Sequence, residues 1–405
     1  MTIQAQTHPR TQTETAQPAA ASSTKVLASS RMFFIDNLRV FLTIVVVVFH
    51  LAITYGAEGS WFYQERPTTE LAATLLTFFI ILTQFYFMGL FFLISGYFVP
   101  GSLERKGTLR FSKDRLIRLG IPLVLYAFLI SPFTEYVKGI VQGYVTGSLF
   151  QYYLYSWRHL QVTPGPLWFV EVLLAFSLVY VAGRAALNWV KRNSSKPAQV
   201  ARTRPLTHKS IIALVLVLAP LSFVTRLIIP IGQELWHIGI AFFPQYIFLF
   251  AVGILAVRNG WLPDLPQGIR KTWSIVAILA MLILPVMMVF GGAAENIDLF
   301  LGGLTWQSAL LSTWEAVYCI SMAILMLSLF RARFDLQGSL AHFLSRNAYT
   351  VYIIHPVVII PLAYLFRGLS LDPLLKFALV SPVAVALCFL VAQLIRRIPY
   401  ADRVL

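Results

Sequence analysis

Ten long apolar segments follow one another along this chain, and they restrict its fold more than any other feature. They cover residues 38–57, 72–98, 117–134, 167–189, 210–230, 238–257, 272–291, 308–330, 347–366 and 371–395. Each is long enough to cross a hydrocarbon core of about 30 Å as a helix, with some tilt. With 58% hydrophobic and 12% charged residues, the chain is more apolar than soluble domains are. The sequence therefore predicts an all-α polytopic membrane protein with about ten transmembrane helices. Gly89, Ser95 and Gly96 predict a break or bend near the end of the second segment.

The lysines and arginines between these segments predict the orientation of the chain. They concentrate after the even-numbered segments and near both termini, whereas the remaining connections hold few, among them Arg226. The connection after the second segment shows the bias best, with Arg105, Lys106, Arg110, Lys113, Arg115 and Arg118. Because basic loops stay in the cytoplasm, both termini are expected to be cytoplasmic. The net charge of +15 is then a consequence of topology, and no nucleic-acid partner is expected.

Residues 1–30 differ in composition from the rest of the chain. They are rich in Thr, Gln, Ala and Ser and have few large apolar side chains, so they cannot form a core. We predict a disordered cytoplasmic tail at 1–30, followed by the membrane domain at 31–405. Cys319 and Cys388 lie in apolar segments and predict neither a disulfide framework nor a metal site.

The first apolar segment carries two cationic or ionisable groups. Arg39 lies near its start and His50 lies eleven residues later, about three helical turns and roughly 16 Å along the axis. Arg39 can therefore stay near the membrane interface while His50 lies near mid-membrane, on nearly the same face. An ionisable side chain at that depth indicates a functional site. The alternative is a histidine that only hydrogen-bonds between helices.

Three further polar residues are embedded in apolar segments. His355 lies about 12 Å deep in the ninth segment, close to the predicted depth of His50. Glu171 and Glu315 lie nearer the outer ends of the fourth and eighth segments. Two histidines and two carboxylates are therefore expected to converge on one buried polar site, where a carboxylate would raise the basicity of a histidine. For each residue the alternative is an interhelical hydrogen bond or a water-lined crevice.

The connection at residues 135–166 is rich in Tyr, Phe and Trp. An interfacial aromatic belt explains such a composition. Aromatic rings beside a few polar groups also suit stacking on sugars, so this connection is a candidate acceptor surface. The sequence leaves both interpretations open.

Five stretches carry a further signal. The first is FIDNLRVFLTIVVVVFH, with Arg39 and His50, and the third is FSKDRLIRLGIPLVLYAF, with Arg115 and Arg118. The others are MGLFFLISGYFVPGSLERKG, GPLWFVEVLLAFSLVY and NAYTVYIIHPVVI. No single stretch is specific, but together, in this order on ten spans, they resemble the membrane acyltransferase-3 family. The resemblance extends from residue 31 to about 395.

The resemblance implies transfer of an acyl group from cytoplasmic acyl-CoA to a hydroxyl beyond the membrane. Acetyl is the expected group and succinyl the alternative. The expected partners are the lipid bilayer and a glycan or lipid-linked sugar acceptor, and the expected location is the cytoplasmic (inner) membrane of a bacterium. Acyl-CoA is the expected co-substrate and no metal is expected. The oligomeric state is not predicted.

Roles follow for the candidate residues. His50, Arg39, Glu171 and His355 are the candidate catalytic residues, and Trp168 and Glu315 are expected on the acceptor side. His50 acts as a general base or accepts the acyl group itself, and the sequence leaves both routes open.

Donor binding is assigned to Arg39, Arg115 and Arg118. Arg115 and Arg118 are three residues apart, share a helical face and suit the phosphates of coenzyme A. A cluster that serves only topology is the alternative.

A different class of protein also fits the polar residues. A secondary transporter would place His and Glu at mid-membrane, but transporters often show repeat symmetry and paired broken helices. We find neither in the sequence.

Overall fold

The structure is a computed structural model that describes residues 32–192, 203–262 and 265–405. Within these ranges the chain is predominantly helical and forms no β-strand. Ten helical segments there are long and apolar enough to cross a membrane, which confirms the predicted architecture. The predicted tail at 1–30 lies outside the described residues.

The α-helices are numbered in chain order. They are α1 (Phe33–Thr54), α2 (Glu70–Gln84), α3 (Phe87–Lys106), α4 (Thr108–Arg115), α5 (Ile121–Leu125), α6 (Ser131–Gln142), α7 (Leu149–Arg158), α8 (Trp168–Arg192), α9 (His208–Ile228), α10 (Phe243–Asn259), α11 (Gln267–Phe290), α12 (Asp298–Leu301), α13 (Trp306–Arg333), α14 (Ser339–Leu365) and α15 (Pro373–Ile395). Two π-helical turns, Leu116–Gly120 and Tyr126–Ile130, join α4, α5 and α6 into one span.

Several helices begin at a polar side chain placed just before an apolar run. The hydroxyl of Thr305 accepts a hydrogen bond from the backbone N–H of Ser308, at the start of α13. The carboxylate of Asp372 accepts from the N–H of Leu374 at the start of α15. These caps provide an acceptor for N–H groups that have no partner inside the helix. An N–H group without an acceptor costs free energy near a bilayer, where water is scarce.

The second span breaks earlier than its glycines predict. α2 ends at Gln84 and α3 begins at Phe87, so the predicted position of the break was wrong. Gly96 lies inside α3, where a Cβ would come 2.1 Å from the carbonyl oxygen of Phe250 on α10. A Cβ on Gly253 of α10 would come equally close, 2.1 Å, to the carbonyl oxygen of Leu93 on α3. The two glycines therefore permit close helix packing and not a bend.

The core of the bundle is formed by α1, α13 and α14. Within the most apolar window of each span, 67% of residues are buried for α1 and 78% for α13, against 28% for α9 and α11. Leu216 on α9 and Ile283 on α11 are exposed, as expected for side chains that face lipid. These helices carry His50, on α1, and His355, on α14.

Candidate active site

The packing of α1 against α14 brings His50 and His355 together. Their ring centroids are 4.9 Å apart and their planes differ by 28°. His355 is fully buried, whereas His50 lines a cavity. Two histidines that are far apart in sequence therefore form one pair at the centre of the bundle.

Hydrogen bonds to the backbone fix the tautomer of both rings. Nδ1 of His50 lies 2.8 Å from the carbonyl oxygen of Val46, and Nδ1 of His355 lies 2.7 Å from that of Tyr352. A carbonyl oxygen only accepts, so each Nδ1 carries the proton and donates it. Nε2 of each neutral ring then holds a lone pair. His50 consequently presents the nitrogen that a base or a nucleophile requires.

A third ring completes the cluster. Trp61, on the connection between α1 and α2, stacks on His50 with ring centroids 3.9 Å apart and planes 29° apart. Its ring centroid lies 6.0 Å from that of His355, and the two planes differ by only 7°. Trp61 is 6% exposed. Sequence reasoning missed this residue because a tryptophan just beyond a predicted span is typical of an interfacial belt.

A cavity of about 790 Å³ leads from His50 toward the end of the bundle where α1 ends. Trp168, Phe242 and Tyr246 contribute aromatic surface to its wall. Besides His50, its polar lining side chains include Glu58, Ser60, Thr77, Gln84, Gln233, Glu234 and His237. A chamber of this size, with aromatic walls and a few polar groups, suits a small ligand or a sugar unit.

Glu171 lies beside the cavity and does not reach the two central histidines. Its carboxylate oxygen Oε2 is 2.8 Å from Nε2 of His237, which lines the same cavity. Both side chains are partly exposed, at 39% and 23%. His237 was missed by sequence reasoning, since it lies in a connection with no motif around it.

Glu315 also lies apart from the histidines. Its carboxylate forms a salt bridge with the guanidinium of Arg226, and Arg226 also donates to the hydroxyl of Ser312 at 3.0 Å. Arg226 and Glu315 are both 0% exposed. The placement of Arg226 in a connection was wrong, because it lies inside α9. The expected convergence of two carboxylates on the histidines does not occur, since each carboxylate has a closer cationic or ionisable partner.

The basic residues of the donor prediction gather at the other end of α1. Arg115 lies near Arg118, Arg39 and Tyr349 of α14, and also near the carboxylate of Asp114. The hydroxyl of Tyr349 donates to the carbonyl oxygen of Arg118 at 2.6 Å, which ties the π-helical turn to α14. In the part of the chain that the structure describes, neither Arg115 nor Arg118 forms a salt bridge. We call Arg39, Arg115 and Arg118 the basic cluster.

His50 therefore lies between the basic cluster on one side and the cavity on the other. On the side of the basic cluster, Arg39 of α1 is roughly 16 Å from His50 along the helix axis. The cavity opens beyond the end of α1, where Glu58 and Gly59 line it. Among the described residues, no group of three or more His, Cys, Asp or Glu side chains is arranged to hold a metal ion.

Comparison with known proteins places the whole membrane domain in one family. Residues 32–393 match the acyltransferase-3 family, described as an acyltransferase domain. Proteins named glucans biosynthesis protein C from Salmonella paratyphi B, Salmonella heidelberg and Salmonella agona are each 28% identical over 178 residues. That match covers 42% of this chain and 43% of each relative, so less than half the length of these curated relatives is matched. No solved structure matches this chain. Since the family match covers nearly the whole chain, this multi-pass membrane protein belongs to the acyltransferase-3 family.

Proposed function

We propose that this protein transfers an acyl group from acyl-CoA to a hydroxyl of a glycan or lipid-linked sugar. Acetyl is the proposed group, with succinyl as the alternative. Membership of the acyltransferase-3 family supports acyl transfer in general. The observation that carries the proposal is His50, which has an unprotonated Nε2 and lines a cavity, while Arg39 of the basic cluster lies near the start of the same helix.

The basic cluster is proposed to bind the donor. Coenzyme A carries several phosphates, and guanidinium groups bind phosphate through paired charge-assisted hydrogen bonds. Arg118 is exposed and Arg115 is partly buried, so both a surface contact and a deeper contact are available. Because basic loops are retained in the cytoplasm, we propose that this end faces the cytoplasm and that the membrane is the bacterial inner membrane.

The cavity is proposed to bind the acceptor. Trp168, Phe242 and Tyr246 offer ring faces, while Glu234 and the hydrogen-bonded pair of His237 and Glu171 offer groups for hydroxyls. The cavity thus combines a concave shape, aromatic faces and a few polar groups, which is typical of small-ligand sites. The name of the Salmonella relatives, glucans biosynthesis protein C, supports a carbohydrate acceptor. Glu315 has no place in this step, because its carboxylate is bound to Arg226.

The proposed chemistry needs one base. Nε2 of His50 takes the proton of the acceptor hydroxyl, the oxygen bonds to the thioester carbonyl carbon, and the carbon–sulfur bond breaks. The departing thiolate takes the proton back from His50, so His50 returns to its starting state. A route in which Nε2 first accepts the acyl group stays open. His355 is buried beside His50 and has no contact with the cavity, so we assign it to holding the His50 ring.

Purified protein in proteoliposomes with radiolabelled acetyl-CoA tests the proposal. The wild type is expected to cleave the thioester and to label an added glycan acceptor. His50→Ala should lower the rate 10²-fold or more, the usual contribution of a positioned acid or base. The matched control is His208→Ala, since His208 contacts Trp273 away from the cavity.

Two outcomes would contradict the proposal. One is a well-folded His50→Ala variant that keeps more than about a tenth of the wild-type rate. The other is proton-coupled flux of a solute without thioester cleavage, which would mark a secondary transporter.

A further inference from the structure

The connection between α1 and α2 folds back from the end of the bundle and reaches His50 in the candidate active site. It runs from residue 55 to residue 69, and its tryptophan, Trp61, reaches the face of His50 with ring centroids 3.9 Å apart. Gly59 and Ser60 line the cavity, but Trp61 is not part of the cavity wall. Trp61 is therefore placed to act on His50 and not on the acceptor.

Contacts along this connection hold Trp61 in place. The carboxylate of Glu65 forms a salt bridge of 2.7 Å with Lys376 of α15, which is almost fully buried. The backbone N–H of Glu65 donates to the carbonyl oxygen of Thr54 at 2.8 Å. The ring of Phe62 packs edge-on against Trp61, with centroids 4.9 Å apart. The stacking on His50 is thus supported by a fixed loop.

His50 has no anionic partner in the part of the chain that the structure describes. No salt bridge involves it, and the two embedded carboxylates, Glu171 and Glu315, bind His237 and Arg226. Yet the proposed reaction turns the ring of His50 into a cation, whether it takes a proton or an acyl group. A cation in a desolvated site is unstable unless a fixed group compensates it.

We propose that Trp61 is a positioning residue that stabilises the cationic ring of His50 through a cation–π interaction. This inference rests on the proposed acyl transfer. An indole has the most electron-rich face among the natural aromatic side chains, and 3.9 Å is well within the range of the interaction. The sequence analysis expected a carboxylate to support the histidine, and in this proposal Trp61 supports it instead.

The interaction is selective for the transition state. The neutral imidazole of the resting enzyme gains only ordinary stacking from the indole, whereas the cation formed during transfer gains the electrostatic attraction as well. An interaction present only in the transition state raises kcat and leaves KM unchanged. For a desolvated pair, a loss of about 30-fold in kcat is expected when the ring is removed.

A series of fluorinated tryptophans at position 61 tests this inference. Mono-, di- and trifluorotryptophan, introduced by nonsense suppression, keep the shape of the ring but progressively weaken its negative face. Stepwise lower kcat with unchanged KM for acceptor and donor is the expected result. Trp61→Phe should retain more activity than Trp61→Leu, because a phenyl ring keeps part of the interaction. The same fluorinated series at Trp273 serves as the control and should leave kcat unchanged. Trp273 is buried and its indole N–H donates a hydrogen bond to His208.

Two results would overturn the inference. A constant kcat across the fluorinated series would show that the electron density of the ring plays no part. A raised acceptor KM with constant kcat would make Trp61 a binding contact for the acceptor. Because the fluorinated rings are nearly isosteric, the test does not depend on whether Trp61→Leu folds. Failure of the acyl-transfer proposal itself is separate, since it would appear as an inactive wild type or an active His50→Ala variant.

Discussion

Buried ionisable side chains occur in two different settings in this protein. Arg226 and Glu315 neutralise each other and are fully buried. His50 has no such partner among the described residues, lines a cavity and presents an unprotonated Nε2. A compensated pair is typical of structure, whereas an uncompensated ionisable group on a cavity is typical of chemistry.

The Arg226–Glu315 pair leads to a prediction about stability. Glu315→Leu leaves the guanidinium of Arg226 buried without a counter-charge, and we expect a loss of about 3–5 kcal/mol in the free energy of unfolding. The double variant Arg226→Met with Glu315→Leu should recover most of that loss, because neither charge remains. Thermal unfolding in detergent measures both. Equal destabilisation of single and double variants would contradict this account.

The basic cluster leads to a prediction about donor binding. Arg115→Ala and Arg118→Ala should each raise the KM for acyl-CoA more than they lower kcat, since they remove contacts made equally in ground and transition states. Arg115→Lys should restore only part of the affinity, because an ammonium group cannot bind phosphate in the bidentate mode. Steady-state kinetics with acetyl-CoA measure this. Unchanged KM in both alanine variants would leave the cluster a topological signal only.

At the scale of elements, the connection between α1 and α2 depends on the salt bridge from Glu65 to Lys376. Lys376→Met removes the buried partner of Glu65, so the connection should loosen and a glutamyl endopeptidase should cleave faster after Glu65, whose carboxylate no longer has its salt bridge. Because Trp61 would then lose its fixed position, kcat should fall as well. Limited proteolysis measures the first effect and kinetics the second.

Lys106→Met is the control for the proteolysis. It removes a partly exposed salt bridge to Asp114 near the basic cluster, and cleavage after Glu65 should not change. Equal protection of the bond after Glu65 in the wild type and Lys376→Met would show that the salt bridge does not hold the connection.

The packing of α3 on α10 leads to a prediction with a matched pair of glycines. Gly96→Ala places a Cβ 2.1 Å from the Phe250 carbonyl oxygen, so the helices must separate, at a cost of about 1–3 kcal/mol in stability. Gly183→Ala on α8 meets nothing within 4 Å and should be neutral or slightly stabilising. Thermal unfolding compares the two. Similar stability of both variants would contradict the close packing.

The sequence is enough to predict the spans, because they follow from hydropathy and from the helical rise. It could not reveal which polar groups pair. Glu65 and Lys376 are 311 residues apart, and Arg226 and Glu315 are 89 apart. Such pairing depends on how the helices are arranged, which hydropathy does not encode. Trp61 was missed for the same reason, since only the return of its loop brings it to His50.

For the whole molecule, the proposed transfer requires the two ends of α1 to face opposite sides of the membrane. A cysteine at Thr68 should react with an impermeant thiol reagent on intact spheroplasts, whereas one at Thr108 should not. Both positions are exposed in the structure, and the native Cys319 and Cys388 are buried. A background in which both native cysteines are replaced removes any contribution from them. Labelling at Thr108 alone would invert the proposed orientation.

The proposal as a whole is that His50 catalyses the transfer of an acyl group from a donor at the basic cluster to an acceptor in the cavity on the other side. Sealed inside-out membrane vesicles test it most directly, with labelled acetyl-CoA outside and the glycan acceptor enclosed. We predict that wild-type vesicles acylate the enclosed glycan and that His50→Ala vesicles, with equal amounts of protein, do not. Labelled glycan in the His50→Ala vesicles at the wild-type rate, or acylation only when donor and acceptor share one side, would contradict the account.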